Sequence, residues 1–517
     1  MMKQAGAKFK IDYHVLFSSI LSGILLVLSF PKFGAGFVAW IALIPLIYAI
    51  KESRRLSEGF VLGFISGIIC HIGVLYWITY AVVHYGNLPY YAGISAMMLL
   101  ALYLSLYIAI FASGCVYFRN KRIPLVFAAP ALWTCLEYAK SHLFTGFPWE
   151  NLAHSQYLYS PLIQIADITG IYGITFMIVM VNIMIYNLLT TKPVNKMIMR
   201  EVIVGCFIIL ITCTYGFVKI SHIENSMKQA DSIDVAVIQG SIDQNIKWNP
   251  QFQKETIDIY KNLSLMKALS GASLIIWPET ATPFFFQDVD NLHREVLDVA
   301  KSSKSWLLFG SPSYAKNGDA LSFLNSAFLL SPDGRIKGQY DKVHLVPYGE
   351  YVPLRRIFPF ISKLVVGVGD FASGTGFFPI YMDHHRLGVL ICYEGIFPEA
   401  GRSYKNAGAD LLVNITNDAW YGTTSAPYQH LSMTIFRAVE NRLYVVRAAN
   451  TGISAVIDPT GKIVSRTKLF EKTFLRETVK FTNDKTLYML YGDVFVYVCL
   501  LSMIVCILIC MRRKEYA

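Results

Sequence analysis

The chain has 517 residues, 54% hydrophobic and only 16% charged, a balance too apolar for a soluble two-domain protein at a length too great for one domain. A mean hydropathy of +0.44 places much of it in lipid. The net charge of +11 does not signal nucleic-acid binding, because Lys and Arg fall in short clusters between apolar runs, which is the pattern of membrane topology.

From the N-terminus, apolar runs extend from Tyr13 to Phe30, Phe37 to Ile50, Phe60 to Tyr80, Tyr91 to Tyr117, Ile123 to Ala139, Leu162 to Leu189 and Val202 to Val218, with a last one from Tyr488 to Met511. These predict a polytopic α-helical membrane domain of about eight spans. The second run is short, and the fifth carries Pro124 and Pro130, which membrane helices tolerate. Alternate connections are basic: Lys3, Lys8 and Lys10; Lys51, Arg54 and Arg55; Arg119, Lys121 and Arg122; Lys192, Lys196 and Arg200; Arg512, Arg513 and Lys514. The other short connections hold only Lys32 and Lys140, so the positive-inside rule puts both termini in the cytoplasm and the segment from Lys219 to Leu487 outside it. The first run has no small-x-small cleavage site after it and is expected to remain as an anchor. The expected domains are 1–219, membrane; 220–487, extracytoplasmic; and 488–517, a final span and cytoplasmic tail.

After Ser232 the pattern changes to short β-rich runs: Ile233 to Gln239, Ser273 to Trp277, Trp306 to Phe309, Ser326 to Leu330, Leu387 to Cys392, Asp410 to Thr416, Tyr444 to Ala448 and Ser454 to Ile457. Helical periodicity lies between them, over Gln251 to Leu269, Asn291 to Ser303 and Tyr428 to Arg442. The alternation predicts a layered α/β domain around a buried sheet. Gly374-Thr375-Gly376 lacks the strand-to-helix context of a nucleotide fingerprint. No metal site is expected either, since His344, His384, His385 and His430 show no ligand spacing.

Eight of the nine cysteines fall in the apolar runs, and Cys392 alone lies in the outer domain. A lone thiol in an oxidising compartment is either inert and buried or retained for its chemistry. Cys392 ends the run Leu387-Gly388-Val389-Leu390-Ile391, and two other segments also end in polar side chains. Pro278 stops the run before Glu279, and the segment Tyr340-Asp341-Lys342-Val343-His344-Leu345-Val346-Pro347-Tyr348-Gly349-Glu350 offers a cation and a second carboxylate. Singly, Glu279 reads as a helix cap and Lys342 with Glu350 as a surface ion pair. Together, a carboxylate, an ammonium and a thiol supply the base, oxyanion donor and nucleophile of acyl transfer through a thioester.

Glu279 after Trp-Pro, Lys342 in Asp-Lys-Val-His-Leu-Val-Pro-Tyr-Gly-Glu, and Cys392 in Cys-Tyr-Glu resemble the Glu-Lys-Cys triad of the nitrilase (carbon–nitrogen hydrolase) superfamily. Within it, the chain resembles the bacterial apolipoprotein N-acyltransferase family. The matching segments are Asn417-Asp418-Ala419-Trp420-Tyr421-Gly422, Gln429-His430, Arg437, Glu440 and Arg442, Asn450-Thr451-Gly452, and Gly146-Phe147-Pro148-Trp149. Tyr348 and Tyr351 stand where Phe is common. The resemblance implies a nitrilase-like αββα sandwich on a helical membrane domain. It implies Glu279 as general base, Lys342 as oxyanion stabiliser and Cys392 as nucleophile, with Glu350, Tyr393 and Glu394 in support. Trp248, Phe147, Trp149 and Trp420 fall at positions tied to lipid or substrate handling. The implied reaction moves an acyl chain from a phospholipid to Cys392 and then to the α-amine of a diacylglyceryl-cysteine apolipoprotein. No cofactor is required, and the implied enzyme is an inner-membrane monomer whose catalytic domain faces the periplasm.

Two lipid substrates need an apolar platform, and Phe284-Phe285-Phe286 and the segment from Phe358 to Phe378, with Leu364, Val365, Val366, Phe371 and Phe377, are expected to act as lids in the interface. A tethered amidase would need only one span. A transporter would carry charges along a crossing route, and only His71, Glu137 and Asp167 are candidates, the last two near the outer ends.

Overall fold

The computed structural model describes residues 12–193, 195–317, 320–352 and 370–512. The expectations resting on Lys3, Lys8, Lys10, Phe358, Leu364, Val365, Val366, Arg513 and Lys514 lie outside the described residues.

The N-terminal region is helical. Five described helices are long and apolar enough to cross a membrane by length and composition: Leu56–Leu75, Tyr90–Asn120, Tyr172–Thr190, Lys196–Gln229 and Val494–Arg512. Tyr13–Ser29 and Leu125–His142 are further apolar helices, the second with Pro130 inside it. Three runs are broken where hydropathy read them as continuous. Phe37 to Ile50 forms a 3-10 turn, Gly36–Trp40, and a short helix, Ile44–Ala49, started by Pro45. The third run divides at Tyr76 into Leu56–Leu75 and Trp77–Gly86. The sixth begins with the single turns Ser160–Ile163 and Ala166–Thr169, and Gly170, at φ 61°, separates them from the Tyr172–Thr190 helix. Leu56–Leu75 and Tyr90–Asn120 pack backbone to backbone: a Cβ at Gly63 would stand 2.5 Å from the Ile108 carbonyl oxygen.

The Lys196–Gln229 helix runs almost directly into the sandwich. Its twelve strands are β1 Ser232–Gln239, β2 Leu274–Ile276, β3 Trp306–Asn317, β4 Ala320–Leu330, β5 Ile336–Asp341, β6 Ile380–Met382, β7 His385–Ile391, β8 Leu411–Thr416, β9 Val445–Ala449, β10 Ala455–Ile457, β11 Ile463–Arg466 and β12 Thr473–Lys480. They form two six-stranded sheets, ordered β12-β1-β2-β3-β4-β5 and β11-β10-β9-β8-β7-β6. In the first sheet β1, β2 and β3 are parallel, as are β7, β8 and β9 in the second. β1 also pairs antiparallel with β12, Ser232 opposite Lys480.

Alternation along the strands explains the layers. Val235, Val237, Leu274, Ile276, Leu308 and Leu329 point into the core shared with the second sheet. Their neighbours Ala236, Ile238, Ile275, Leu307, Phe309 and Leu330 face Ile257, Tyr260, Val296 and Val299 on the outer helices Pro250–Ser264 and Asn291–Ser303. Helices Pro398–Asn406 and Ala426–Asn441 cover the other sheet, which completes a nitrilase-like αββα arrangement. Ala426–Asn441 is buried on nearly every side because the helical region lies on its far face.

Candidate active site

The parallel strands deliver their C-terminal ends to one place, and that is where the polar residues gather. β2 ends before Trp277 and Pro278, and Glu279 follows at the start of a tight turn whose next residue, Thr280, has φ 46°. Gly310 on β3 makes room for this turn, since a Cβ there would lie 2.5 Å from the Thr280 nitrogen. β5 ends at Asp341 and places Lys342, and β7 ends at Ile391 and places Cys392. Cys392 itself has φ 53°, a left-handed conformation that costs a non-glycine residue about 1–3 kcal/mol and aims its side chain out of the strand direction.

Lys342 is buried between two carboxylates. Its Nζ donates to Glu350 Oε1 at 2.9 Å and stands 3.9 Å from Glu279 Oε1. Asn325, in mid-β4, donates Nδ2 to both Glu279 Oε1 (2.8 Å) and Glu350 Oε1 (2.9 Å). Glu279 Oε2 accepts the Asn417 backbone N–H at 2.8 Å, and Glu350 Oε2 accepts that of Val346 at 2.7 Å. Both carboxylates are thus oriented, and burial of the ammonium is offset by charge on two sides. Burial alone would lower the Lys342 pKa, but Glu350, Glu279 and Cys392 raise it well above the ordinary lysine value, so the group is a permanent cation. Burial, then Glu279, pushes the Cys392 thiol far above its usual range, with Lys342 partly opposing them. Cys392 therefore rests as a neutral thiol.

Glu394 ties the Cys392 segment to the lysine loop. Its Oε1 accepts from Tyr340 Oη (2.8 Å), Val343 N (2.7 Å) and His344 N (3.0 Å), and its Oε2 from Ile391 N (2.7 Å). Tyr393 is buried beside the thiol and donates its hydroxyl to the Gly146 carbonyl at 3.4 Å.

The four residues read as substrate-handling are dispersed. Trp149 is buried, with its Nε1 on Gln429 Oε1 at 2.9 Å and its ring 4.8 Å from Trp77 and 6.0 Å from His430. Phe147 stacks on Trp149 at 6.1 Å. Trp420 is half-buried and meets Tyr85 of the Trp77–Gly86 helix edge-on at 5.1 Å, so it borders the helical region instead of the triad. Trp248 is half-buried and follows Lys247, whose Nζ donates to the Glu279 carbonyl oxygen (3.2 Å) and Thr280 Oγ1 (2.6 Å). Of the expected lids, Phe286 is fully buried in the core against Phe309 and His293, because the turn after Glu279 folds it back beneath β3. Phe285 stacks on Phe323 at the edge of the same sheet. Phe371 and Phe377 are half-buried, and Phe378 is exposed.

Sequence reasoning assigned no role to Asn325, Asn417, Lys247, Asp418 or His430. His430 Nε2 donates to the Cys392 carbonyl oxygen at 3.1 Å. Its Nδ1 lies 3.0 Å from Asp418 Oδ1, while Arg447 Nη2 donates to Asp418 Oδ2 at 2.7 Å. A usable signal existed: Asn417-Asp418 directly follows an apolar strand, as Glu279 and Cys392 do. Among the described residues, no group of three or more His, Cys, Asp or Glu side chains could hold a metal ion.

Two family models match the chain, "Apolipoprotein N-acyltransferase N-terminal domain" over residues 22–184 and "Carbon-nitrogen hydrolase" over residues 234–482. An apolipoprotein N-acyltransferase of Geobacter metallireducens is 44% identical over 503 residues, covering 96% of this chain and 95% of its own length. The chain belongs to the apolipoprotein N-acyltransferase family. The Pasteurella multocida apolipoprotein N-acyltransferase is 31% identical over 95% of this chain and 94% of its own. Among solved structures, a carbon–nitrogen hydrolase from Helicobacter pylori G27 aligns at TM-score 0.39 and 18% identity, covering 51% of this chain and 95% of that one.

Proposed function

We propose that the chain is an N-acyltransferase that takes an acyl chain from a membrane phospholipid onto Cys392 and passes it to the N-terminal amine of a diacylglyceryl-cysteine apolipoprotein. The observation that carries this reading is the convergence of Glu279, Lys342 and Cys392, a buried base, cation and thiol at neighbouring strand ends, over a floor of aromatic side chains reaching from Trp149 to Trp77 of the helical region. In the first half-reaction Glu279 takes the thiol proton as sulfur attacks the ester carbonyl. Lys342 stabilises the oxyanion of the tetrahedral intermediate. Collapse breaks the acyl C–O bond, Glu279 returns the proton to the leaving oxygen, and a lysophospholipid departs from a thioester. In the second half-reaction the neutral amine attacks the thioester, Glu279 removes its proton, and the C–S bond breaks with the proton returned to sulfur. Glu350 fixes the ammonium, Asn325 holds the two carboxylates that flank it, and Glu394 and Tyr393 hold the lysine loop and the thiol segment in register. Trp248, Phe147, Trp149 and Trp420 contribute apolar surface for the lipid chains.

The same reading places about eight spans in a bacterial inner membrane, with 1–219 and 488–517 embedded or cytoplasmic and 220–487 on the periplasmic side. A single chain carries the whole triad, so a monomer suffices. Intact-mass analysis of the purified chain after exposure to phospholipid tests the proposal: an acyl-sized adduct, absent in Cys392→Ala and discharged by a diacylglyceryl peptide, is expected. Release of free fatty acid to water at the same rate without the peptide would instead support a hydrolase.

A further inference from the structure

A second polar site lies inside the helical region, beneath the Gly146–Glu150 loop, in a cavity with about 50 Å³ of free volume. Its lining includes apolar side chains such as Leu26, Phe30 and Ile108 and the polar groups of His71, Lys140 and Glu150. Lys140 is 7% exposed, and its one hydrogen bond to a described residue is from Nζ to the Trp149 carbonyl oxygen at 3.3 Å. An ammonium carries three N–H donors, so this one has capacity left for a ligand. Glu150 is 6% exposed; its Oε1 accepts from Ser432 Oγ at 3.3 Å, while its Oε2 is buried without a hydrogen-bond partner among the described residues. An unsatisfied carboxyl oxygen and a largely unsatisfied ammonium in one apolar-walled cavity are costly unless something occupies it.

We propose that this cavity is a lipid subsite that takes an ester carbonyl of a glycerolipid, with Lys140 and Glu150 as its hydrogen-bond donors. The identity of the lipid rests on the acyl-transfer reading above. The site's size and its unsatisfied polar groups select the ligand. Glu137 also lines the cavity, and its carboxyl oxygens already accept from Trp133 Nε1, Leu152 N and Thr175 Oγ1 at 2.7–3.0 Å, so they are not free to take a ligand's donor. Burial pushes the Glu150 carboxyl well above the usual range, which makes it an O–H donor. A cavity of about 50 Å³ with spare donor capacity and mostly apolar lining has room for a carbonyl oxygen, and it is too small for a phosphate group with its several oxygens. Its apolar wall fits the methylenes adjoining an ester. The loop above it is a shared wall: Gly146 accepts the hydroxyl of Tyr393 on the nucleophile's side, and Trp149 accepts Lys140 on the cavity side. The transferred chain and a retained ester of one diacyl lipid would thus lie on opposite faces of one short loop.

The test is native mass spectrometry of the full-length Cys392→Ala chain with a diacyl phosphatidylethanolamine and with its diether analogue of equal chain length, which lacks ester carbonyls. The diester is expected to be retained about tenfold better, the scale of losing one or two hydrogen bonds. Lys140→Met and Glu150→Leu should each bring the two lipids towards parity. Ile108→Trp, which adds bulk at a lining position and leaves both donors in the sequence, should do the same and covers the case in which a donor variant fails to fold. Parity in the parent chain, or a preference that survives all three substitutions, would overturn the subsite. If the preference is present and donor-dependent while wild-type Cys392 gains no acyl mass, the subsite stands and the acyl-transfer reading falls.

Discussion

Replacing Lys342 by Met separates two roles that the geometry gives to one ammonium. At an effective dielectric of about 20, attractions at 2.9 Å and 3.9 Å amount to about 6 and about 4 kcal/mol before desolvation is subtracted. Removing the cation leaves Glu279 and Glu350 sharing one Asn325 amide, and the net loss of stability expected for a broken buried pair is about 3–5 kcal/mol. One carboxyl then takes up a proton. Acyl transfer should fall by roughly a hundredfold for the lost oxyanion donor alone, and further if Glu279 is the group that protonates. The double variant Lys342→Met/Glu350→Gln removes the excess negative charge. It should regain a large part of the thermal stability in detergent, yet leave the burst of lysophospholipid and the acyl mass on Cys392 as low as in the single variant. If the double variant regained near-normal acylation, Lys342 would be a charge-balancing residue and its assignment as oxyanion stabiliser would be wrong.

Cys392→Ser should retain almost no turnover, because Glu279 cannot readily generate an alkoxide and an oxygen ester is a poorer donor to an amine; near-normal rates in a lysophospholipid assay would exclude the thioester route. Trp420→Ala should raise the KM for phospholipid while Cys392 still reacts with a small alkylating agent, and loss of that reactivity would assign Trp420 to the fold around the thiol. Burial alone would raise the Asp418 pKa, but Arg447 and His430 reverse this and hold it below the ordinary carboxylate value. Its folded pKa is therefore below the unfolded one, so its contribution is present above about pH 4 and is lost as pH falls below that. Asp418→Asn should flatten the acid limb of a melting-temperature profile and cost about 3–5 kcal/mol at neutral pH by stranding Arg447. A cysteine introduced at exposed Asp298 should react with a membrane-impermeant maleimide in spheroplasts, whereas one at Arg54 should not; the reverse pattern would invert the topology.

The central strands and the triad were legible because both leave strong local marks. β1, β2, β7, β8 and β9 are buried on both faces and read as continuous apolar runs that stop at Gly, Pro or a polar residue. The edge strands β5, β6, β11 and β12 were not predicted, since they are half exposed, and a segment such as Ile463-Val464-Ser465-Arg466 has no distinctive run. The Lys196–Gln229 helix outran its hydropathy signal because the helix continues past Lys219, His222 and Glu224, where apolar content ends but backbone hydrogen bonding does not. Asn325 escaped notice as a single polar residue in a β-run, a placement that identifies a site only once β2 and β5 are known to flank it. The burial of Phe286 was likewise invisible, because an aromatic triplet looks the same whether it enters lipid or turns back under a sheet.

The pairing of β1 with β12 has an architectural corollary. Ser232 lies opposite Lys480, so the polypeptide enters and leaves the sandwich side by side, at one edge of one sheet. The sandwich is therefore an insertion between two helices, tethered by two adjacent strands and also seated on the helical region along Ala426–Asn441. The two chain crossings lie close together, yet removing the unit would uncover the face that Ala426–Asn441 shares with the helices. A related sandwich grafted between Gln229 and Leu487 would meet the two chain crossings easily, but it would need a matching seat for Trp149, Val74 and Asp167, which Gln429 and Arg442 engage here.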